Sequence, residues 1–221
     1  AEVVVKVQHA GIEGKVRSDL SLLAAVAQLA ETNSKELARY RPNDTVAEFS
    51  RSLLRELDFH VELNNLLRLS QNFAKDPRVH IPAVFPALSS RRVLTMERLE
   101  GYSIAQLERM AADGVDRVAF ADLFVNIMLQ MIFRDGFYHA DPHPGNIFVT
   151  PGERLGLLDC GKIGRMDEQT RNDFVAVVAA FLTSDVEALT DQLIELCDIP
   201  PDLNRSAYKA DVAEFVGEFG E

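Results

Sequence analysis

The chain has 221 residues, of which 34 are acidic and 23 are basic, so its formal net charge at neutral pH is −11. Hydrophobic residues make up 47% of it and charged residues 26%, as is typical of a soluble globular protein. No basic run stands out, which argues against nucleic acid as a partner, and no apolar run is long enough to span a bilayer. The two cysteines, Cys160 and Cys197, favour a reduced, cytosolic compartment.

The N-terminal part of the chain predicts one strand followed by helices. Residues 3–7 are rich in β-branched side chains and predict a buried strand carrying Lys6, which we expect to contact a phosphate. Residues 17–31 have apolar side chains at the spacing of an amphipathic helix. Thr45 opens a capping box, which predicts a second, long helix to about Phe73. That helix carries three acids, Glu56, Asp58 and Glu62.

The middle of the chain predicts a strand, a hinge and an apolar helix. Residues 93–97 read as a strand that Gly101 breaks, so we expect a hinge between two lobes at 97–101. The hinge residues expected to meet an adenine ring are Met96, Glu97 and Leu99. Residues 119–135 are strongly apolar and predict a core helix that ends at Gly136.

A loop with two prolines and a glycine follows this helix and carries the most distinctive polar residues. Asp141 is followed five residues later by Asn146, and Asp159 comes thirteen residues after Asn146. Residues 147–149 and 154–158 predict a hairpin joined by a Pro-Gly turn. Because the paired strands would return Asp159 to the neighbourhood of Asn146, one magnesium ion could reach both side chains.

These three residues supply the oxygen-bearing side chains that phosphoryl transfer from ATP needs. One carboxylate orients or deprotonates the acceptor hydroxyl, while an amide and a second carboxylate hold the magnesium ion that bridges the phosphates. Protein kinases have the same order, His-x-Asp-x-x-x-x-Asn followed by Asp-Phe-Gly. Here the loop begins at His139 and the later motif is Asp159-Cys160-Gly161. Such a site also needs a helix carboxylate to pair with the strand lysine.

The two histidines that flank Asp141 have other interpretations. His139 and His143 could bind zinc or iron together with Asp141, since imidazole is a common ligand for both metals. That interpretation leaves Asn146 and Asp159 unexplained. Hydrogen bonds from the histidines to the loop backbone are the interpretation that we favour.

The C-terminal part predicts three helices. Asp167 caps a helix to about Leu182, and Asp185 caps another to about Cys197. Residues 211–221 have helical spacing without a stop signal, and the first residue is not Met. We therefore expect the chain to be a piece of a longer protein.

With these motifs in view, the chain resembles the UbiB family of atypical kinase-like proteins over about residues 3–182. The segments that carry the resemblance are the lysine strand and its turn at 5–11, the Glu-x-Asp helix at 56–62, the hinge at 94–97 with Gly101, and the catalytic and metal loops at 139–149 and 158–161. The resemblance implies an α+β, helix-rich, protein-kinase-like fold of two lobes with extra helices inserted in the N-lobe. The N-lobe remainder would cover residues 1–98 and the C-lobe residues 99–221.

The resemblance also implies the cofactors and the residue roles. The protein would bind ATP or ADP with Mg²⁺, Lys6 would contact the phosphates, and Glu56, rather than Glu62, would pair with Lys6. Asp141 would be the catalytic aspartate, with Asn146 and Asp159 as magnesium ligands. A link to isoprenoid-quinone biosynthesis or lipid homeostasis is implied, with a lipid or quinone precursor, a membrane surface or proteins of a biosynthetic complex as partners. Contact with the membrane would come through regions outside this chain.

The chain departs from its relatives and from peptide kinases in three respects. The family's lysine-glutamine helix and alanine-rich nucleotide loop would precede residue 1. Ala140 replaces an arginine that would neutralise a phosphorylated activation loop. Because a helix is predicted soon after Gly161, no room remains for a long peptide-docking segment. We therefore expect the acceptor to be a small molecule, a lipid or water.

Three functions remain open at this point. An ATP-dependent kinase or ATPase is the leading interpretation. An aminoglycoside-type phosphotransferase shares the loop pattern, but the Glu56-Leu57-Asp58 helix and the strand around Lys6 argue against it. A nucleotide-sensing module without turnover is the alternative from another class, and the presence of Asp141, Asn146 and Asp159 argues against it.

Overall fold

An α+β fold with more helix than strand is seen in the computed structural model of the chain, which describes residues 2–197, 199 and 202–219. The described chain divides into two compact units. The first contains residues 1–124 and 139–163, and the second contains residues 125–138 and 164–221. The predicted lobe boundary between residues 98 and 99 falls inside the first unit and stays a prediction.

The elements follow one another in this order along the chain. The helices are α1 (Ile12–Asn33), α2 (Lys35–Ala38), α3 (Pro42–Glu56), α4 (Phe59–Asn72), α5 (Leu107–Ala112), α6 (Arg117–Leu129), α7 (Glu168–Leu182), α8 (Val186–Leu196) and α9 (Arg205–Phe219). The strands are β1 (Val3–Val7), β2 (Val79–His80), β3 (Val93–Glu97), β4 (Tyr102–Ser103), β5 (Phe137–His139), β6 (Ile147–Thr150), β7 (Arg154–Leu157) and β8 (Ile163–Arg165). Short 3₁₀ turns cover Pro86–Leu88 and Pro144–Asn146.

Strand β1 of the first unit pairs with β3 in an antiparallel, two-stranded sheet that places Lys6 opposite Leu94. Both strands are confirmed with the predicted bounds. The predicted burial of β1 is wrong, because its four valines are exposed. A sheet of only two strands does not bury the side chains on both of its faces. The β-branched residues therefore predict the strand correctly, but they do not determine whether its side chains are buried.

A four-stranded sheet in the same unit has the order β2-β7-β6-β4. Its β6–β7 pair is antiparallel, with Ile147 opposite Leu157, and confirms the predicted hairpin. Gly101 precedes β4 with a φ of 130°, and a Cβ atom there would lie 2.1 Å from the carbonyl oxygen of Val149. Only glycine fits so close to the sheet, which explains why the chain breaks at this residue.

The predicted long helix of residues 45–73 is two helices, and this prediction is wrong. Helix α3 begins earlier, with Pro42 at its first turn, where a missing N–H costs nothing. Helix α4 begins after Asp58, whose carboxylate accepts the backbone N–H of His60 at 3.0 Å. An aspartate cap of this kind starts a new helix and resets the direction in which later side chains point.

Helix α4 supplies much of the buried core of the first unit. Leu63, Leu66 and Leu69 lie on one face and are at most 6% exposed. Apolar side chains of β3, β6 and β7 are also fully buried or nearly so in this unit, among them Leu94, Ile147, Leu155 and Leu157. The side of α4 that enters the core is therefore fixed by packing.

The second unit is mostly helical and also holds most residues of β5 and β8, which pair in a two-stranded sheet. The apolar helix predicted at 119–135 is confirmed as α6, which continues as a π-helical turn over Gln130–Arg134 and ends at Gly136. Asp167 and Asp185 cap α7 and α8 as predicted. Helix α9 begins at Arg205, earlier than predicted, and residues 220 and 221 lie outside the described range.

The core of this unit lies among its last three helices. Its buried members are Ala180, Leu189, Val212 and Val216. Phe133 and Phe174 stack on each other with their ring centroids 5.7 Å apart. In the part of the chain that the structure describes, no helix is both long enough and apolar enough to cross a membrane.

Candidate functional site

A cavity of about 480 Å³ lies within the first unit. Its walls come from β1, the end of α3, the start of α4, the catalytic loop and the loop after β7. The acids that line it are Glu56, Asp58, Glu62, Asp141 and Asp159, and the bases are Lys6, Arg55 and Lys162. Four of the predicted site residues are therefore brought to one cavity: Lys6, Glu56, Asp141 and Asp159.

Lys6 lies close to two of the carboxylates in this cavity. Its Nζ atom donates to Oε1 of Glu62 at 2.6 Å and lies 3.6 Å from Oδ1 of Asp159. The Glu62 side chain is only 5% exposed, and burial raises its pKa while the charge of Lys6 opposes that shift. Asp159 is 60% exposed, so its contact with Lys6 is the weaker of the two.

The predicted ion pair between Lys6 and Glu56 is wrong. The Glu56 carboxylate lies 3.5 Å from Nζ of Lys162 instead. The resemblance implies the pairing with Lys6, and one continuous helix would fix the relative directions of Glu56 and Glu62. Glu56 is the last residue of α3, whereas Glu62 lies in the first turn of α4, so the break separates them.

The catalytic loop is held by its two histidines, which confirms the hydrogen-bonding interpretation. Nε2 of His139 donates to the carbonyl of Leu158 at 3.0 Å, and its Nδ1 accepts the N–H of Asp141 at 3.2 Å. A carbonyl only accepts and an amide N–H only donates, so the tautomer is fixed. Both ring nitrogens of His139 are engaged, which leaves this imidazole no lone pair for zinc or iron. Nδ1 of His143 accepts the N–H of Gly145 at 3.0 Å.

Asn146 connects the catalytic loop to the hairpin. Its side-chain Nδ2 atom donates to the backbone carbonyl of Asp141 at 3.0 Å, and its backbone carbonyl accepts the N–H of Leu158 at 2.8 Å. Asn146 is buried and does not line the cavity, although it is bonded to the residue before Asp159. The hairpin thus does what the sequence predicts by bringing the chain around Asp159 back to Asn146.

The backbone of Asp159 has a left-handed conformation, with a φ of 50°. This region costs an ordinary residue about 1–2 kcal/mol, and aspartate is among the few residue types that adopt it because its short side chain can hydrogen-bond locally. Non-glycine residues in this conformation cluster at ligand sites, where neighbouring contacts hold them. The next residue, Cys160, is fully buried, and burial raises the pKa of its thiol far above the ordinary range. Cys160 is therefore a packed, neutral thiol.

The predicted adenine-binding residues lie elsewhere in the first unit. Met96 and Leu99 are buried. The N–H of Glu97 donates to the carbonyl of Ala83 at 2.7 Å, and its carboxylate accepts from the Ala83 N–H and contacts His80. This N–H is therefore used within the protein. Contact between this segment and adenine stays a prediction.

Two residues near the cavity had no role in the sequence analysis. Lys162 follows the Asp-Cys-Gly motif, and its carbonyl accepts the N–H of Ala140 at 3.1 Å, which ties it to the catalytic loop. Asn65 is 3% exposed, and its Nδ2 donates to the carbonyl of Cys160 at 2.9 Å. Its partner lies 95 residues away in sequence, so no local pattern could have indicated it.

We expect a double-mutant cycle to identify Glu62 as the partner of Lys6. Lys6→Met and Glu62→Gln should show a coupling of about 0.5–3 kcal/mol in nucleotide affinity, because each change removes the same charged hydrogen bond. Glu56→Gln is the matched control, and its effect should add to that of Lys6→Met within about 0.5 kcal/mol. Isothermal titration with ATP measures both cycles. Coupling to Glu56 with none to Glu62 would contradict the geometry.

Comparison with known proteins shows which family the chain belongs to. The ABC1 atypical kinase-like domain matches residues 1–193. The probable protein kinase UbiB of Histophilus somni is 32% identical over 208 residues, which is 92% of this chain and 38% of the relative. That of Glaesserella parasuis is 32% identical over 213 residues, or 94% and 39% of the two chains. The chain thus spans about two fifths of the length of these relatives.

A solved structure has the same fold. The complex of Rv3197 with erythromycin from Mycobacterium tuberculosis superposes with a TM-score of 0.73, over 99% of this chain and 54% of that one. The two sequences are 20% identical, so the likeness concerns the fold alone. The resemblance to UbiB proteins drawn from the motifs is confirmed, as is the kinase-like α+β fold. The chain belongs to the family of ABC1 atypical kinase-like domains.

Proposed function

We propose that the protein binds ATP or ADP with magnesium and transfers the terminal phosphoryl group of ATP to a small molecule, a lipid or water. The observation that carries this proposal is the cluster around Lys6. Its ammonium group lies between a buried glutamate at 2.6 Å and Asp159 at 3.6 Å, and Asp141 lines the same cavity. A lysine paired with a helix glutamate, next to an aspartate that can hold magnesium, is the arrangement that protein kinases use at the nucleotide phosphates.

Each of these residues has a proposed role. Lys6, oriented by Glu62, neutralises phosphate oxygens. Asp141 orients the acceptor hydroxyl and takes its proton as the oxygen attacks phosphorus. In this step a bond forms between the acceptor oxygen and phosphorus, the bond from phosphorus to the bridging oxygen breaks, and ADP leaves.

Asn146 and Asp159 are the residues that would hold magnesium. Mg²⁺ prefers oxygen ligands and is commonly held by one or two protein groups, with phosphates and water as its other ligands. Asp159 supplies an exposed carboxylate. Asn146 supplies its side-chain amide oxygen, because the amide nitrogen is already used in the hydrogen bond to the Asp141 carbonyl. The two donor types therefore fit this ion, with Asp159 lining the cavity and Asn146 buried next to it in the hydrogen-bond network of the loop. When bound, the ion would neutralise charge on the phosphates.

The proposed acceptor is compact or lipid-like. Only six residues separate Gly161 from the start of α7, and three of them form β8, which leaves no long segment to hold a peptide in register. The resemblance to UbiB proteins supports a polyprenyl phenol or another isoprenoid-quinone precursor, met at a membrane surface or within a biosynthetic complex. A nucleotide-binding regulator is the alternative, and absence of turnover would identify it.

One experiment compares the three acceptors. The full-length protein is incubated with radiolabelled ATP and, separately, a peptide library, a set of polyprenyl phenols, or buffer alone. We expect labelled phenol or released phosphate that depends on magnesium, and no labelled peptide. Asp141→Asn is the control for each product. Peptide labelling that depends on Asp141 would overturn the proposed acceptor class, and nucleotide binding with no product would establish the regulator.

A further inference from the structure

Asn65 is a buried polar residue that links helix α4 to the loop of Asp159. It lies one helical turn after Glu62, so the two side chains leave the same face of α4. Glu62 reaches Lys6 on β1, and Asn65 donates to the carbonyl of Cys160 at 2.9 Å. One helix face therefore holds both the phosphate-binding lysine and the loop of the metal ligand.

The hydrogen bond from Asn65 is one of two that hold the backbone around Asp159. The carbonyls on either side of Asp159 are both held by buried side chains, that of Leu158 by His139 and that of Cys160 by Asn65. Between them Asp159 has its left-handed φ of 50°, and its own side chain is 60% exposed. The two side chains that hold the backbone on either side of Asp159 come from the catalytic loop and from α4.

We propose that Asn65 is a positioning residue for the metal ligand Asp159, and that through Asn65 and Glu62 helix α4 sets the metal-binding carboxylate and the phosphate-binding lysine together. This inference rests on the proposed function. Removing the amide donor leaves the Cys160 carbonyl buried without its partner, which favours rearrangement of the loop. The left-handed conformation of Asp159 then relaxes, and its carboxylate turns away from the metal. The Lys6–Glu62 pair is untouched.

The test uses two substitutions at Asn65, each with a matched control at Asn64, the exposed neighbour on the same helix. Asn65→Leu removes the amide at similar size, with Asn64→Leu as control. Asn65→Asp replaces the donor with an acceptor, and Asn64→Asp controls for the added negative charge. For each full-length variant, magnesium affinity is measured by titration at saturating ATP, and ATP affinity is measured separately in EDTA.

The expected result is a split between the two affinities. Magnesium affinity should fall by about 10- to 100-fold in both Asn65 variants relative to their Asn64 controls, as is typical when a residue that orients a ligand is lost. ATP affinity in EDTA should change by less than about twofold, because Lys6 remains paired. A purely structural role would lower both affinities and the melting temperature together.

The outcomes separate this inference from the proposed function. A wild-type protein that binds ATP no more tightly with magnesium than without it contradicts the proposed function. A wild-type protein with magnesium-dependent binding, together with equal magnesium affinities in the Asn65 and Asn64 variants, overturns only the role of Asn65. If Asn65→Leu does not fold, the comparison of Asn65→Asp with Asn64→Asp decides the question.

Discussion

Asp141→Asn is expected to slow turnover by about 10²- to 10⁴-fold while ATP affinity changes by less than about twofold. The substitution keeps size and shape but removes the oxygen that takes the acceptor's proton. The loop should keep its conformation, because the bonds of Asp141 to His139 and Asn146 involve its backbone N–H and carbonyl. Single-turnover rates with radiolabelled ATP measure the chemical step.

The melting temperature and ATP affinity are the internal controls for this variant. An unchanged melting temperature shows that the catalytic loop is intact, so a slower rate can be assigned to the missing carboxylate. A rate within about tenfold of the wild type would contradict the role of Asp141, because general acid–base groups contribute more than that. Another group would then have to orient the acceptor.

Asp159→Asn is expected to abolish the magnesium-dependent part of nucleotide binding. The loss should exceed the roughly 10- to 100-fold effect typical of residues that only orient a ligand, because the substitution removes a charged ligand itself. The melting temperature of the ligand-free protein should barely change. The Asp159 carboxylate is 60% exposed and lies 3.6 Å from Lys6, and exposed ion pairs contribute about 0–1 kcal/mol to the free energy of unfolding.

Thermal shifts with ATP plus magnesium and with ATP plus EDTA measure this prediction. The wild type should show a larger shift with magnesium, whereas Asp159→Asn should show the same shift in both conditions. Equal magnesium-dependent shifts in the two proteins would mean that Asp159 is not a metal ligand. The ligand-free melting temperatures show whether the loop itself has been disturbed.

The parts of the site that local chemistry determines could be predicted from the sequence. The hairpin follows from a Pro-Gly turn between two apolar runs, and the structure has it with the predicted pairing of β6 and β7. The backbone role of His139 follows from a histidine in a loop that proline and glycine keep out of helix. Both predictions depend on residues less than twenty positions apart.

The parts that depend on distant contacts could not be predicted. The resemblance to UbiB proteins assigns Glu56 to Lys6, and one continuous helix from Thr45 would point Glu62 in another direction. The cap formed by Asp58 instead separates α3 from α4. Asp58 is a residue type that favours this position, so the break had a signal. Asn65 had none, because a polar side chain on an amphipathic helix usually indicates a solvated face.

The β6–β7 hairpin has a consequence for protein engineering. The register of Ile147 opposite Leu157 determines how the catalytic loop meets the segment of Asp159, and one residue inserted into β7 would turn its side chains to the opposite face. The turn between the strands is exposed, and a Cβ atom at Gly152 would meet nothing within 4 Å. Exposed turns accept insertions. A fluorescent or affinity tag placed after Pro151 would therefore leave the strand register unchanged, and with it the segments of Asn146 and Asp159 at the other end of the hairpin.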